Sequence, residues 1–554
     1  MLINFRKQTL YFASILLCIV LSTLSNVQAQ IIWENPKLPI NSFLSRQAQK
    51  GNIEITDFIL PMSRKEIAFN LSALKDSIHK LSSIEKQELR YYMQEYSEFN
   101  TERVDSTIFF KKDAYKRWRA FSVDQGDLKI RLEPTLGMET TQGEGKNIFT
   151  IRNGWQLWGH INKNITFQTF FTDVTERGTR IDTIKQFSNE TGIVRFENVR
   201  KDARLMTYSN LRASLAYEFK NGSVSLGNDQ LLWGYGENGR LVMSDKAPAY
   251  PFIRFDYQPL KWLKFNYSHT WLQSAILDSA GSSPKGNTIY GSNRELYVSK
   301  FMATHSLSFF PVKGLSLSIG ESIIYSDKMD IGYLIPVVLF KAYDQISSRY
   351  RINSGSNGQF FFQASSRNHV KGMHVYTTLF IDEIRASEVF NRSKSRNQIG
   401  FNFGASITDL LFPYLTIGTE YTRINPFVYQ NLIPAQTYTN QNYLMGDWIG
   451  QNADRLTVWL KYNPMPRLST KIRLDYIRKG EDGSLEDQYY AEPQPGFLST
   501  KVENQKQLLV EFGYEMFNNL NIRATYLKQS GIILPNLQTA VVPNEVRFGV
   551  SYGF

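Results

Sequence analysis

The stretch Asn544-Glu-Val-Arg-Phe-Gly-Val-Ser-Tyr-Gly-Phe554 decides how the rest of the chain is read. In an extended strand, Val546, Phe548, Val550, Tyr552 and Phe554 fall on one side and Arg547, Gly549, Ser551 and Gly553 on the other. An apolar face backed by a polar one, with an aromatic residue at the C-terminus, fits the closing strand of a membrane β-barrel, whose outer face meets lipid. The last strand of a soluble sheet alternates in the same way. The remainder of the chain has to separate the two.

Moving outward, the same two-residue period holds from about Asp127 to the end. Lys129, Arg131 and Glu133 alternate with Leu128, Ile130 and Leu132; Lys471, Arg473 and Asp475 alternate with Ile472, Leu474 and Tyr476. About eighteen strands are expected, near 127–139, 147–160, 163–175, 205–219, 222–232, 250–258, 261–275, 294–310, 314–326, 357–367, 371–384, 396–408, 413–425, 453–463, 467–479, 504–516, 519–530 and 543–554. Short links such as Lys220-Asn-Gly222 and Asn463-Pro-Met-Pro466 alternate with long ones such as 176–204, 327–356, 426–452 and 480–503. That rhythm is what periplasmic turns and extracellular loops produce in a barrel with an even number of strands. A soluble sandwich has no reason to keep it. A sheet in lipid has to close on itself, because an open edge leaves backbone groups without partners.

Upstream, the period is helical. Ser63-Arg-Lys-Glu66 and Ser82-Ser-Ile-Glu85 have the form of capping boxes, and Ile67, Leu71, Leu74 and Leu89, Tyr92, Tyr96 follow at helical steps. Met1 to Ala29 reads as a secretory signal, with Arg6 and Lys7 before an apolar run and Val27-Gln-Ala29 as the cleavage site. The single cysteine, Cys18, lies inside that signal, so the mature chain is expected to hold no disulfide and no thiolate metal site. The expected organisation is therefore a signal peptide (1–29), a periplasmic arm (30–62), a periplasmic helical module (63–126) and an outer-membrane β-barrel (127–554).

Composition agrees with one large closed sheet. Aromatic residues make up 14% of the 554 residues, including 30 Tyr and 37 Phe, as a barrel with aromatic girdles needs. The net charge is +12, but Lys and Arg are scattered rather than gathered into a nucleic-acid-binding run. In a barrel, such basicity suits acidic sugars or lipopolysaccharide phosphates.

Gly234-Tyr-Gly-Glu-Asn-Gly239 spells G-x-G-x-x-G, yet no helix follows and Pro248 and Pro251 intervene, so glycines of a tight external loop are expected, not a dinucleotide site. The six histidines show no metal spacing. A hydrolase would need His160 or His269 beside a nucleophile, and no G-x-S-x-G occurs. Glu481, Asp482, Glu486 and Asp487 form an acidic loop, read as solvated rather than as a Ca²⁺ site. Neither catalytic residues nor cofactors nor metals are expected. Two segments, Gly227–Pro251 and Tyr443–Arg455, mix Trp and Tyr with Asp, Asn, Gln and Arg, as sugar sites do. Aromatic residues of an interfacial girdle would look alike. Candidate polysaccharide contacts are Trp233, Tyr235, Arg240, Asp447, Trp448, Gln451 and Asn452.

The signal peptide, the capped helical hairpin at 63–99, the W-G-x-G then L-x-x-S-x-x-x-P run (Trp233 to Pro248) and G-D-W-I-G-Q-N-A-D (Gly446 to Asp454) together resemble the capsule assembly protein Wzi family. The resemblance implies an eighteen-stranded outer-membrane barrel with a periplasmic helical part. It also implies a lectin-like, non-catalytic anchor for capsular or exopolysaccharide. Implied partners are outer-membrane lipid and lipopolysaccharide, and the barrel-insertion machinery reading Phe554. Long loops are expected outside the cell. A porin-like diffusion channel is the competing expectation, and an outer-membrane hydrolase a more distant one.

Overall fold

The computed structural model describes residues 31–99, 105–194, 204–282, 295–350, 355–383, 397–491, 493–499, 501–531 and 542–553. The expected signal peptide and Phe554 lie outside the described residues. Eighteen antiparallel strands, from Leu128–Gly143 to Asn544–Tyr552, form a closed barrel. The last strand seals against the first, with Val546 opposite Gln142 and Tyr552 opposite Leu136. Each of the eighteen alternating segments holds one of these strands, with ends shifted by four residues at most.

The alternation sorts the wall into two faces. Val546, Phe548, Met138 and Leu474 are each at least half exposed on the outside, while Thr135, Gln359, Arg455 and Thr457 are buried within. An apolar exterior around a polar interior is the surface a barrel presents to hydrocarbon. Tyr552 departs from its expected outward course. Its ring meets Trp118 edge-on and its hydroxyl donates to Glu133, turning it under the seam.

Two further strands, Ser106–Lys112 and Trp118–Gln125, form a ribbon in the region assigned by sequence to the helical module. Phe121 pairs with Leu132 and Gln125 with Leu128, below the point where the closing strand stops at Leu136. The ribbon thus continues the wall past the seam.

Among the described residues three α-helices precede it: α1 (Pro39–Gln49), α2 (Arg64–Asp76) and α3 (Ser83–Glu95). Ser63 caps α2 through the Glu66 N–H, and Ser82 with Glu85 completes a reciprocal box on α3, as the sequence indicates. α1 arises where no firm period is visible. Pro39 opens it, and Ile40, Phe43, Leu44 and Ala48 join the core around Leu71, Leu74 and Leu89. The helices sit across the short-turn end of the barrel. Arg46 pairs with Asp409 at 2.6 Å, Lys65 with Glu218 at 2.7 Å, and the Gln49 amide donates to the Gly372 and Ser406 carbonyls.

The glycine-rich stretch expected in an external loop is not external. Leu231–Ala247 and much of 427–449 turn into the lumen and pack as one apolar core with the inner wall. Leu241, Val242, Met243, Val428 and Tyr438 are wholly buried there. Gly239, at φ +152°, lies so close to the Asp447 carboxylate that a Cβ would strike it. The chain folds inward because the segment is apolar enough to fill the barrel.

Candidate functional site

The two segments singled out by composition meet inside the barrel. The Ser244 hydroxyl donates to the Gly446 carbonyl at 2.6 Å, the Tyr429 hydroxyl to Leu241 O at 2.7 Å, and the Trp448 indole N–H to Asn238 O at 2.5 Å. Asp447 accepts both arms of Arg455 at 2.9 and 2.8 Å, with Glu420 a further 3.7 Å from that guanidinium. Such a two-pronged pair fixes the inward turn to the wall.

Most of the seven candidate residues have their polar atoms engaged by protein. Trp233 packs edge-on against Phe361, and its backbone pairs with Ile59 of the N-terminal region. The Tyr235 hydroxyl donates to Asp57 at 2.5 Å beneath Arg367, which holds the same carboxylate at 2.8 Å. The Gln451 side-chain oxygen accepts from the Phe427 N–H, and Asn452 bridges Glu481 O and the Leu498 N–H. Two candidates border open space. Half-buried Arg240, tied by Nε to Gly234 O at 2.8 Å, and the buried Trp448 lie at the edge of a lumen cavity of about 1500 Å³.

That cavity occupies the part of the lumen the inward segments leave free. Its floor is Asn35 to Pro39 with Pro61, and its wall includes Lys471, Arg473, Arg523 and Arg547. Among the described residues, twelve Lys or Arg line it against nine Asp or Glu, so this lining carries a net positive charge. Gln505, Gln507 and Gln529 form an amide cluster on the wall, with 3.0 and 3.1 Å bonds between them. Phe187 lies 5.1 Å from Trp448 and brings residues 182–194 over the cavity.

The charges of the inward segments are set by their neighbours. Burial works against the Glu237 carboxylate, but Lys461 at 2.9 Å and Lys471 at 2.7 Å outweigh it and hold the group at about 2. Lys185 first, and Arg547 after it, keep the partly exposed Glu190 well below the usual carboxylate range. Burial pulls Lys246 down to about 8, although Glu190 opposes the change. The cavity therefore presents fixed charges, amides and an aromatic edge, the groups that bind hydroxyls and carboxylates of a polar ligand.

The residues considered for hydrolysis are placed otherwise. His269 shares a 2.7 Å bond with Tyr325, and His160 lies edge-on to Phe99. Among the described residues no group of three His, Cys, Asp or Glu side chains is arranged to hold a metal. In the acidic loop Asp482 bonds Lys479 and Asp487 caps the helix Leu485–Tyr490. Composition did not point to Lys185, Phe187 or Glu190. Arg523 and the Gln cluster were legible only as inward positions of the alternation.

The family model described as capsule assembly protein Wzi matches residues 141–536, most of the barrel and both inward segments. The chain belongs to the Wzi family. Among solved structures, Wzi of Escherichia coli, described as an outer membrane protein involved in group 1 capsule assembly and a carbohydrate-binding β-barrel, matches with a TM-score of 0.58 and 13% identity. The match covers 95% of this chain and 100% of that one, and it shows that the Wzi fold is shared from helices to closing strand. OccK3 of Pseudomonas aeruginosa matches at TM-score 0.41 and 12% identity, over 76% of this chain and 95% of that one. Comparison with curated protein sequences finds no match.

Proposed function

We propose that this Wzi-family protein is an outer-membrane anchor for surface polysaccharide that binds sugar without turning it over. The long loops face outward from the cell and the helices face the periplasm. The outer belt meets membrane lipid and lipopolysaccharide, and the closing strand with Phe554 engages the insertion machinery. The observation that carries the reading is the lumen cavity: a positive, amide-lined cup with a protein floor. A cup suits retention of a chain end. A floor of Asn35 to Pro39 set beneath it disfavours a diffusion channel.

Of the candidate contacts, Arg240 and Trp448 bear on the cavity directly, Arg240 for carboxylates or hydroxyls and Trp448 for a sugar face. Trp233, Tyr235, Asp447, Gln451 and Asn452 hold the inward segments that present those two. Binding of purified surface glycan to the detergent-solubilised protein, followed calorimetrically, tests this. Arg240→Ala with Arg523→Ala is expected to weaken binding at least tenfold, about 1.4 kcal/mol or more. Equal affinity of that variant and the parent, or no affinity in either, would overturn it.

A further inference from the structure

The ribbon Ser106–Lys112 and Trp118–Gln125 takes no part in the lumen, and its outer side is unusually aromatic. Phe109 and Phe110 are adjacent in sequence, yet both are more than half exposed. Regular alternation would send one of them inward. Phe110 sits at φ +47°, a left-handed conformation costly for a bulky residue, and the two rings lie 4.5 Å apart on display. From there Phe110 lies 5.8 Å from Trp118, which is seated edge-on at 5.9 Å against Tyr552 where that ring turns under the seam. Val550 and Phe548 carry the same outer face up the wall, and Leu132 and Leu136 continue it beside them.

The ribbon is tied to the helices behind it. Arg117 bonds Glu95 of α3 at 2.5 Å, Arg119 lies 3.8 Å from the same carboxylate, and Arg119 also bonds Asp113 of the hairpin turn at 3.1 Å. Lys111, Lys112 and Lys116 are exposed on the same hairpin. Aromatic rings beside lysines, at the edge of a lipid-facing belt, match the boundary between acyl chains and headgroups.

We propose that this ribbon is a membrane-interface anchor. Its Phe109 and Phe110 rings enter the headgroup boundary of the leaflet at the short-turn end, and Lys111, Lys112 and Lys116 bind the phosphates of anionic lipids. The inference rests on the barrel being membrane-embedded. The occupant is lipid because the patch is continuous with the outer belt and carries the complementary charge.

Full-length chain carrying Cys18→Ser, reconstituted in vesicles of phosphatidylethanolamine and phosphatidylglycerol, tests it, using single spin-labelled cysteines in place of Phe109, Val546 and Phe69. Val546 marks the outer belt, and Phe69, 72% exposed on α2, marks water. The label at 109 is expected to meet oxygen more than a water-soluble nickel chelate, as at 546 and unlike 69. A 109 label behaving like 69 while 546 stays lipid-like overturns the anchor. An aqueous 546 label would instead overturn the membrane reading beneath it. Spin–spin broadening confined to 109 would mean a second copy covers the patch, and would also overturn the proposal. Lys111→Glu with Lys112→Glu and Lys116→Glu is expected to lower bound phosphatidylglycerol several-fold, and unchanged lipid retention would remove the phosphate contact.

Discussion

Asp447 has the chemistry of a sugar ligand and the position of a structural ion. A carboxylate beside Trp448 suits either role, and only the partner decides. Here the partner is Arg455, buried across the barrel wall. Arg455→Met would leave Asp447 and Glu420 buried without a cation, a loss expected to cost about 3–5 kcal/mol. Thermal unfolding in detergent should register it as a lower transition, with earlier tryptic cleavage of the inward segments. An unchanged transition would mean the pair does not hold them. The same ambiguity limited the reading of Tyr235, Gln451 and Asn452 from sequence. Side-chain types name the chemistry available, and long-range pairing determines where it is spent.

Two carboxylates on α3 respond oppositely to acid. Burial pushes the Glu88 carboxyl up to about 7, whereas for Glu85 burial is outweighed by Lys50, the Ser82 backbone N–H, Arg46 and Gln47, which hold it at about 2. Relative to an ordinary value of 4.5, the raised Glu88 loses stability as pH climbs from 4.5 through 7. The depressed Glu85 contributes stability above 4.5 and loses it as pH falls toward 2. Glu88→Gln should therefore stabilise the protein at pH 8, by roughly 1–3 kcal/mol, and have little effect at pH 4. Thermal unfolding at the two pH values checks this, and equal effects at both would refute the assignment.

At the scale of elements, legibility followed the strength of local signals. α2 and α3 carry serine caps and clear apolar stripes, and both were readable. α1 lacks a side-chain cap and takes its stability from packing on its neighbours, so its period is weak. The ribbon escaped because Phe109-Phe-Lys-Lys112 breaks the two-residue period where the backbone kinks. The inward segments resembled loops because they are irregular, and sequence does not say toward which side of a wall an irregular segment turns. Ser82→Ala removes a reciprocal box and should cost about 1 kcal/mol. Faster amide exchange confined to the first turn of α3 would confirm a local role, while exchange throughout α2 and α3 would show that the cap governs the whole pair.

The whole molecule was the most legible level. Eighteen alternating segments, with short turns and long loops alternating after the first hairpin, leave one way to satisfy every strand edge, and the barrel closes accordingly. The alternation says nothing about what fills the lumen. A floor held by Arg46 and Lys50 on Glu85 and Asp409 should keep single-channel conductance low. Arg46→Ala with Lys50→Ala is expected to add bursts of larger current in planar bilayers. Freely conducting parent protein would instead favour the channel reading.

The floor also orders events in time. Arg46 finds Asp409 at a sequence separation of 363, and Tyr91 finds Glu515 at 424. Contacts of such separation wait until the wall that supplies them has formed. The N-terminal helices have their docking surface only after the strands around it have assembled. Their apolar stripes must stay shielded during that interval, so docking of the helices follows closure of the wall.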